Sequence, residues 1–337
     1  MLSILQPHAG TVIQAEDEIA AFGYCIGASM AGLKAMTATS GPGLSLYSEQ
    51  ISFAVGSEIP LVVVDVQRLG PSTGSATKGA DGDVQFMRWG SSGGQPVIVL
   101  SPVDVADCFL LTMEGFNLAE RYRCPVFIAS NKEVGQTRES IDLDRLSRPW
   151  VEERRPAKSG EDFLPFRLQE IDRAPEFLPL GGETLVRQTS STHGEDGYIT
   201  ADPEEIDRMQ EHRRRKVEDH VQDFSFADLY GSPESDMAIL TYGVSARAAL
   251  DVFARCRSQG QKVSLLVLKT LWPVPEGLIK QSIGRVRRIL VVEMNQGQYV
   301  REIERIAKDQ EVGFLGRMDG ELISPEQIKE GVDAWIA

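Results

Sequence analysis

The chain is poor in the residues that hold metal clusters. Its four cysteines, Cys25, Cys108, Cys124 and Cys256, make no CxxC pair, and its four histidines, His8, His193, His212 and His220, are scattered. That spacing leaves any iron–sulfur cluster to another chain and points to buried, reduced thiols in a cytoplasmic protein. No apolar run is long enough to span a bilayer. The stretch from Met1 to His8 lacks the basic region and long apolar core of a signal peptide. Positive charge is also short: 35 Lys and Arg face 49 Asp and Glu, a net charge of −14. This balance argues against nucleic acid or an anionic membrane as partner, without excluding a local basic pocket. No GxGxxG turn follows the first strand, which weakens a dinucleotide-binding reading.

What is present is an alternation of helices and strands, in a chain of 337 residues, long enough for two cores. Up to residue 140 the pattern predicts a helix over 16–32 and strands at 35–39, 61–66, 97–100 and 125–130. Further helices are expected over 44–56 and 103–121. Strands this apolar imply a parallel sheet covered on both faces. Residues 141–235 are rich in charge and proline and read as a linker or irregular segment with one polar helix, of a kind that can wrap a neighbouring subunit. From 236 to 337 a second, smaller α/β pattern begins.

Two loops follow strands. Ser40-Gly-Pro-Gly43 is a glycine turn opening a helix, where Gly41 and Gly43 let a ligand approach the backbone. Gln67-Arg-Leu-Gly-Pro-Ser-Thr-Gly74 follows the next strand, and Arg68 offers a bidentate fork for a carboxylate. Ser72, Thr73 and Thr77 add hydroxyls and Lys78 adds charge. Two such loops place a crevice at the carboxyl edge of a parallel sheet. Glu18 lies among three acids at the start of the first helix, where acids favour the N-terminus for structural reasons. The same helix is unusually small-sided, from Ala20 to Gly32, and expects another helix, a subunit or a planar ligand against it. A carboxylate at its entrance suits proton handling. Arg88-Trp89 either lines the crevice or packs. His193-Gly-Glu-Asp-Gly197 reads as a structural turn, Leu271-Trp-Pro-Val-Pro275 as a rigid turn with a buried Trp. Glu293-Met-Asn-Gln-Gly-Gln298 is open to a ligand or a partner.

With these pieces in order, the chain resembles the α subunit of 2-oxoacid:ferredoxin oxidoreductases of the 2-oxoglutarate synthase type. The markers are Glu16-Asp-Glu-Ile-Ala-Ala21, Ala38-Thr-Ser-Gly-Pro-Gly43, the Arg68 loop, Arg88-Trp-Gly90, Phe116-Asn-Leu-Ala-Glu120, Leu271-Trp-Pro273 and Val292-Glu-Met-Asn-Gln-Gly-Gln298. The resemblance implies a thiamine-diphosphate-binding, pyrimidine-type doubly wound α/β domain (1–140), then a transketolase C-terminal-like α/β domain (236–337). It implies thiamine diphosphate shared with a β subunit that carries Mg²⁺ and a [4Fe–4S] cluster. Ferredoxin is the implied electron acceptor, with a 2-oxoacid and CoA as substrates. Glu18 matches the glutamate that favours the cofactor's imino tautomer. Arg68, Ser72, Thr73 and Lys78 match the substrate loop, and Ser40, Gly41 and Gly43 would line the cofactor crevice. No metal ligand is assigned to this chain. The family carries a Tyr-Pro-Ile-Thr-Pro turn ahead of this point, and the fifteen residues before Glu16 do not match it. The first strand and helix of the domain are therefore expected to be missing, through a late start or a split subunit. A non-catalytic scaffold or relic that binds a β-type partner is the alternative.

Overall fold

The computed structural model describes residues 10–336 apart from 143, 145 and 161. His8, and in part the expectation about what precedes Glu16, lie outside the described residues.

The first half runs α1 (Glu18–Met30), β1 (Met36–Thr39), α2 (Pro42–Leu46), α3 (Ser48–Gly56), β2 (Leu61–Gln67), α4 (Val84–Trp89), β3 (Ile98–Leu100), α5 (Val105–Tyr122), β4 (Pro125–Asn131) and α6 (Lys132–Gln136). After α7 (Pro203–Glu218) come β5 (Ala227–Tyr230), β6 (Met237–Tyr242), α8 (Ser245–Ser258), β7 (Val263–Leu268), β8 (Thr270–Trp272), α9 (Glu276–Ile283), β9 (Arg288–Glu293), α10 (Val300–Ile306), β10 (Glu311–Gly316) and α11 (Pro325–Ile336). Among the described residues, no helix is long and apolar enough to cross a membrane.

Two five-stranded sheets result, ordered β1-β2-β4-β3-β8 and β10-β9-β6-β7-β5. Each is parallel except for one outer strand, β8 against β3 and β5 against β7. β2 shows why the first sheet is buried on both sides. Its Leu61 and Val63 join Phe22, Leu44 and Tyr47 on one face, while Val62 joins Leu111, Leu118 and Val217 on the other. Covered faces are what near-continuous apolar strands require. α1 starts where the Asp17 carboxylate accepts from the Ala20 amide at 2.8 Å, a standard N-cap.

The structure departs from the expected elements in three places. The helix expected over 44–56 is broken at Tyr47 into α2 and α3. β5 joins the second sheet ahead of residue 236, because its antiparallel pairing with β7 closes that edge. Of Leu271-Trp-Pro-Val-Pro275, expected as a rigid turn, Leu271 and Trp272 belong to β8, which leaves the second half of the chain and pairs with β3. Trp272 is buried as expected. A single apolar cluster consequently runs from Val63 and Val99 to Leu240, Leu271 and Tyr299, so the two sheets share a core.

Among the described residues of 141–235, read as a linker or irregular segment with one polar helix, mostly irregular backbone leads into α7, and several side chains pack on this chain. Arg154 pairs with Glu120 at 2.6 Å and donates to the Ser29 carbonyl, closing the end of α1. α7 buries Met209, His212, Arg213, Lys216 and Val217. Lys216 Nζ and His212 Nε2 both reach Glu58 Oε2, at 2.6 and 3.0 Å. Burial alone would push the Glu58 carboxyl up, but Lys216, His212 and Arg123 outweigh it and hold it well below the ordinary range. A polar helix becomes part of the fold through these paired charges.

Candidate active site

The two loops picked out in the sequence meet at the carboxyl ends of β1 and β2. Gly41 sits at φ 57°, ψ −117°, a conformation that only glycine adopts without strain. Its missing side chain is filled by Arg68: a Cβ there would lie 2.8 Å from Arg68 Nε. Gly43 is equally constrained. A Cβ there would lie 2.9 Å from both Glu18 Cγ and Glu18 Oε1, and would clash with Thr39 Oγ1. The bare backbone of one turn therefore brings Glu18 and Arg68 to its two sides. Ser40 holds the turn to the sheet by donating to the Val66 carbonyl at 2.7 Å.

Arg68 follows β2 directly, and its loop is closed by its own backbone. Leu69 N–H donates to the Lys78 carbonyl at 2.9 Å, Ser75 N–H to Leu69 at 2.9 Å and Gly74 N–H to Pro71 at 3.0 Å. Ser72 and Thr73 are exposed at the tip. Among the described residues the Arg68 guanidinium has no hydrogen bond or ion pair, and its Nε is buried. It is a cation held rigidly by its backbone and left free for an anion. Lys78 is not free: its ammonium is paired with Glu321, which raises its pKa, and an added Cβ at Gly320 would strike the Lys78 chain. The structure thus ties Lys78 to the loop before α11 rather than to Arg68.

Three acids at this edge were not singled out from the sequence. Asp65 lies within β2, and Asp81 and Asp83 lie before α4; all but Asp83 are fully buried. Burial pushes Asp81 up to about 7, against the hydrogen bond from Asn131 Nδ2 at 2.9 Å. Burial likewise raises Asp83 to about 6, opposed by Arg68. The signal was legible: an aspartate in the otherwise apolar run Leu61–Val66 has no place in a buried strand without a reason. Among the described residues no group of three or more His, Cys, Asp or Glu is arranged to hold a metal ion.

The remaining candidates have structural duties. Glu293 caps α10, accepting from Tyr299 N–H at 3.0 Å and Val300 N–H at 2.9 Å. Asn295 donates to the Asp81 carbonyl at 3.0 Å and to the Tyr242 hydroxyl at 2.8 Å, while Gln298 bonds Gln85 at both ends. This segment ties the two sheets together, and its Asn295 and Gln296 also border a cavity of about 450 Å³. His193 is buried, accepts from Arg213 at Nε2 and donates from Nδ1 to the Gly194 carbonyl at 2.9 Å. Arg88 stacks on Trp89 at 3.9 Å and borders a different cavity, of about 1040 Å³, floored by Trp272 and Val274. The small-sided face of α1, with Gly23, Gly27 and Ala28, borders another of about 670 Å³. Among the described residues part of that face is uncovered: a Cβ on Gly27 would meet nothing within 4 Å.

Comparison with known proteins agrees with this geometry. Residues 3–212 match the family model described as pyruvate flavodoxin/ferredoxin oxidoreductase, thiamine diphosphate-binding. Residues 235–328 match the pyruvate:ferredoxin oxidoreductase core domain II. The chain is 38% identical to the 2-oxoglutarate synthase subunit KorA of Methanothermobacter thermautotrophicus, over 97% of this chain and 87% of that protein. It superposes with a TM-score of 0.91, at 33% identity, on a 2-oxoglutarate:ferredoxin oxidoreductase from Magnetococcus marinus solved with 2-oxoglutarate, coenzyme A and succinyl-CoA bound. All of this chain and 59% of that one are covered. A split-gene transketolase shares the fold alone, with a TM-score of 0.51 at 12% identity. With both family models matched in order and a relative aligned along nearly its whole length, this chain belongs to the pyruvate flavodoxin/ferredoxin oxidoreductase family.

Proposed function

We propose that the chain is the α subunit of a thiamine-diphosphate-dependent 2-oxoacid:ferredoxin oxidoreductase, converting 2-oxoglutarate and CoA to succinyl-CoA and CO2 with electrons passed to ferredoxin. The observation that carries this reading is the pairing of Glu18 and an unpartnered Arg68 across one glycine turn. The relatives named for 2-oxoglutarate support the choice of acid. In this reading residues 1–140 form the pyrimidine-binding domain, 141–235 a strap and 236–337 the transketolase C-terminal-like domain.

The residues fit half of the cofactor. Gly43 leaves the Glu18 carboxyl open over bare backbone, as an aminopyrimidine ring nitrogen requires. Thiamine diphosphate supplies the electron sink that lets CO2 depart. Glu18 holds a proton at that ring nitrogen. Arg68 grips the carboxylate next to the reacting carbonyl through its planar fork, and Thr73 and Ser72 supply hydroxyls from the loop tip. Lys78 contributes only if it leaves Glu321. Ser40 supports the cofactor crevice from behind, since its hydroxyl is committed to Val66. Diphosphate, Mg²⁺ and the [4Fe–4S] cluster fall to the β subunit, in keeping with cysteines that lack cluster spacing. The uncovered part of the small-sided face of α1 is where that subunit would press. Four free thiols agree with a cytoplasmic setting.

The test is co-expression with the β-type partner and anaerobic, CoA-dependent viologen reduction with 2-oxoglutarate, comparing wild type with Glu18→Ala. Turnover that is lost in Glu18→Ala supports the catalytic reading. A complex that forms but never turns over, even with a Tyr-Pro-Ile-Thr-Pro-bearing segment supplied, leaves the scaffold alternative.

A further inference from the structure

Asp65 is the one ionisable residue of β2. It is 0% exposed, and neither carboxylate oxygen meets a donor in hydrogen-bond geometry. A bare carboxylate so placed is unfavourable by several kcal/mol and takes up a proton instead. The strands beside it offer no cation: the register sets Asp65 against Thr39 of β1 and Ala129 of β4. The charged groups that face it come from the loops. Asp83 and Asp81 both act on Asp65, Arg68 acts on Asp83, and Glu293 of β9 acts on Asp81. The Gly41 amide is the group that favours the ionised form of Asp65. Asp83 Oδ2 is buried without a partner too, and its amide is fixed by Gln67 Oε1 at 3.0 Å. Arg68, with its own buried and unpartnered Nε, lies over Gly41.

We propose that Asp65 and Asp83 form an acid pair of positioning residues: Asp65 carries a proton and supports the Gly41 turn, and Asp83, once ionised, is the nearby charge that competes with a bound anion for Arg68 without touching it. This rests on the reading of Arg68 as the group that binds the substrate carboxylate. It has a direction. As pH rises and Asp83 ionises, the charge that competes with substrate for Arg68 appears. KM for the 2-oxoacid then increases, while kcat changes less.

Infrared titration of the full chain, with its partner subunit where one co-purifies, tests the proton directly. Because Asp81 also holds a proton in this range, the titration is run in an Asp81→Asn background, where the expected result is protonated-carboxyl absorption near neutral pH that Asp65→Asn diminishes and Asp83→Asn shifts to lower pH. On the active complex, Asp83→Asn should lower KM at about pH 8 by about threefold to tenfold and flatten its rise above about pH 5. A chain without the band, or a band that Asp65→Asn leaves undiminished in the Asp81→Asn background, overturns the acid pair whatever the complex does. A complex that turns over while Asp83→Asn keeps the wild-type KM and its pH slope overturns the competition for Arg68. A chain with the band in that background, whose wild-type complex shows no 2-oxoacid turnover, rejects the functional reading and leaves the acid pair standing.

Discussion

Glu18 and Gly43 act as one unit, and that gives a sharp test at the residue scale. Because a Cβ at Gly43 would meet the Glu18 carboxyl at 2.9 Å, Gly43→Ala should displace it and copy a Glu18 variant. We expect Glu18→Gln to lower kcat by about 10²–10⁴-fold, the usual span for a removed proton-handling group. Gly43→Ala should fall at least about tenfold, with circular dichroism unchanged. Arg68→Lys keeps the charge and loses the planar fork, so KM should rise with kcat less affected; a KM equal to wild type would remove Arg68 from the carboxylate. Gly41→Ala combines strain at φ 57° with a clash against Arg68 and should damage both parameters.

At the scale of the element, α7 shows how a helix with little apolar surface docks. Its Lys216 and His212 converge on Glu58, a fully buried residue at φ 53°. Removing the acid leaves buried positive charge unpaired, so Glu58→Gln should cost about 3–5 kcal/mol in urea unfolding. The pH dependence follows from the depressed Glu58 carboxyl. Its contribution is present above the unfolded value of about 4.3 and is lost as pH falls through the lower folded value. Proteolysis within residues 146–224 should therefore accelerate in acid, and Glu58→Gln should show that sensitivity already at neutral pH.

At the scale of the whole molecule, Asp81 is where the two sheets are joined. Its amide donates to the Met294 carbonyl at 2.8 Å, its carbonyl accepts from Asn295 at 3.0 Å, and its Oδ2 is buried without a partner, facing Gly243 and Ser101. Burial raises its folded pKa to about 7, above the unfolded value of about 3.9. The folded state therefore binds the extra proton, and Asp81's contribution to stability is most favourable at low pH and declines as pH rises from about 4 through about 7. Asp81→Asn should remove that decline and raise Tm at about pH 8, measured by calorimetry; a Tm profile parallel to wild type would count against it. Asn295→Ala should loosen the junction without unfolding either sheet, since each keeps its own strand pairings.

Much of this was readable from residue order. The apolar strands Leu61–Val66 and Pro125–Ser130, the glycine turn at Ser40–Gly43 and the Arg68 loop all follow from local chemistry: two covered faces, a backbone without Cβ atoms, a guanidinium at a strand end. Local pattern also carried the family resemblance, since its markers are short and ordered. It failed where a residue's role depends on distant partners. β8 is only three residues and exists because β3 offers it an edge. Glu293–Gln298 reads in sequence as open to a ligand or a partner, and only the fold sets Asp81, Gly82 and Gln85 against it. Lys78 looked free until Glu321, far along the chain, reached it. The sequence by itself determined the strands, the turn and the cation at the sheet edge, because those depend on neighbours a few residues apart. Only the tertiary structure decided which charges are paired and which are left bare, because burial and pairing are set by groups that folding brings together from distant segments.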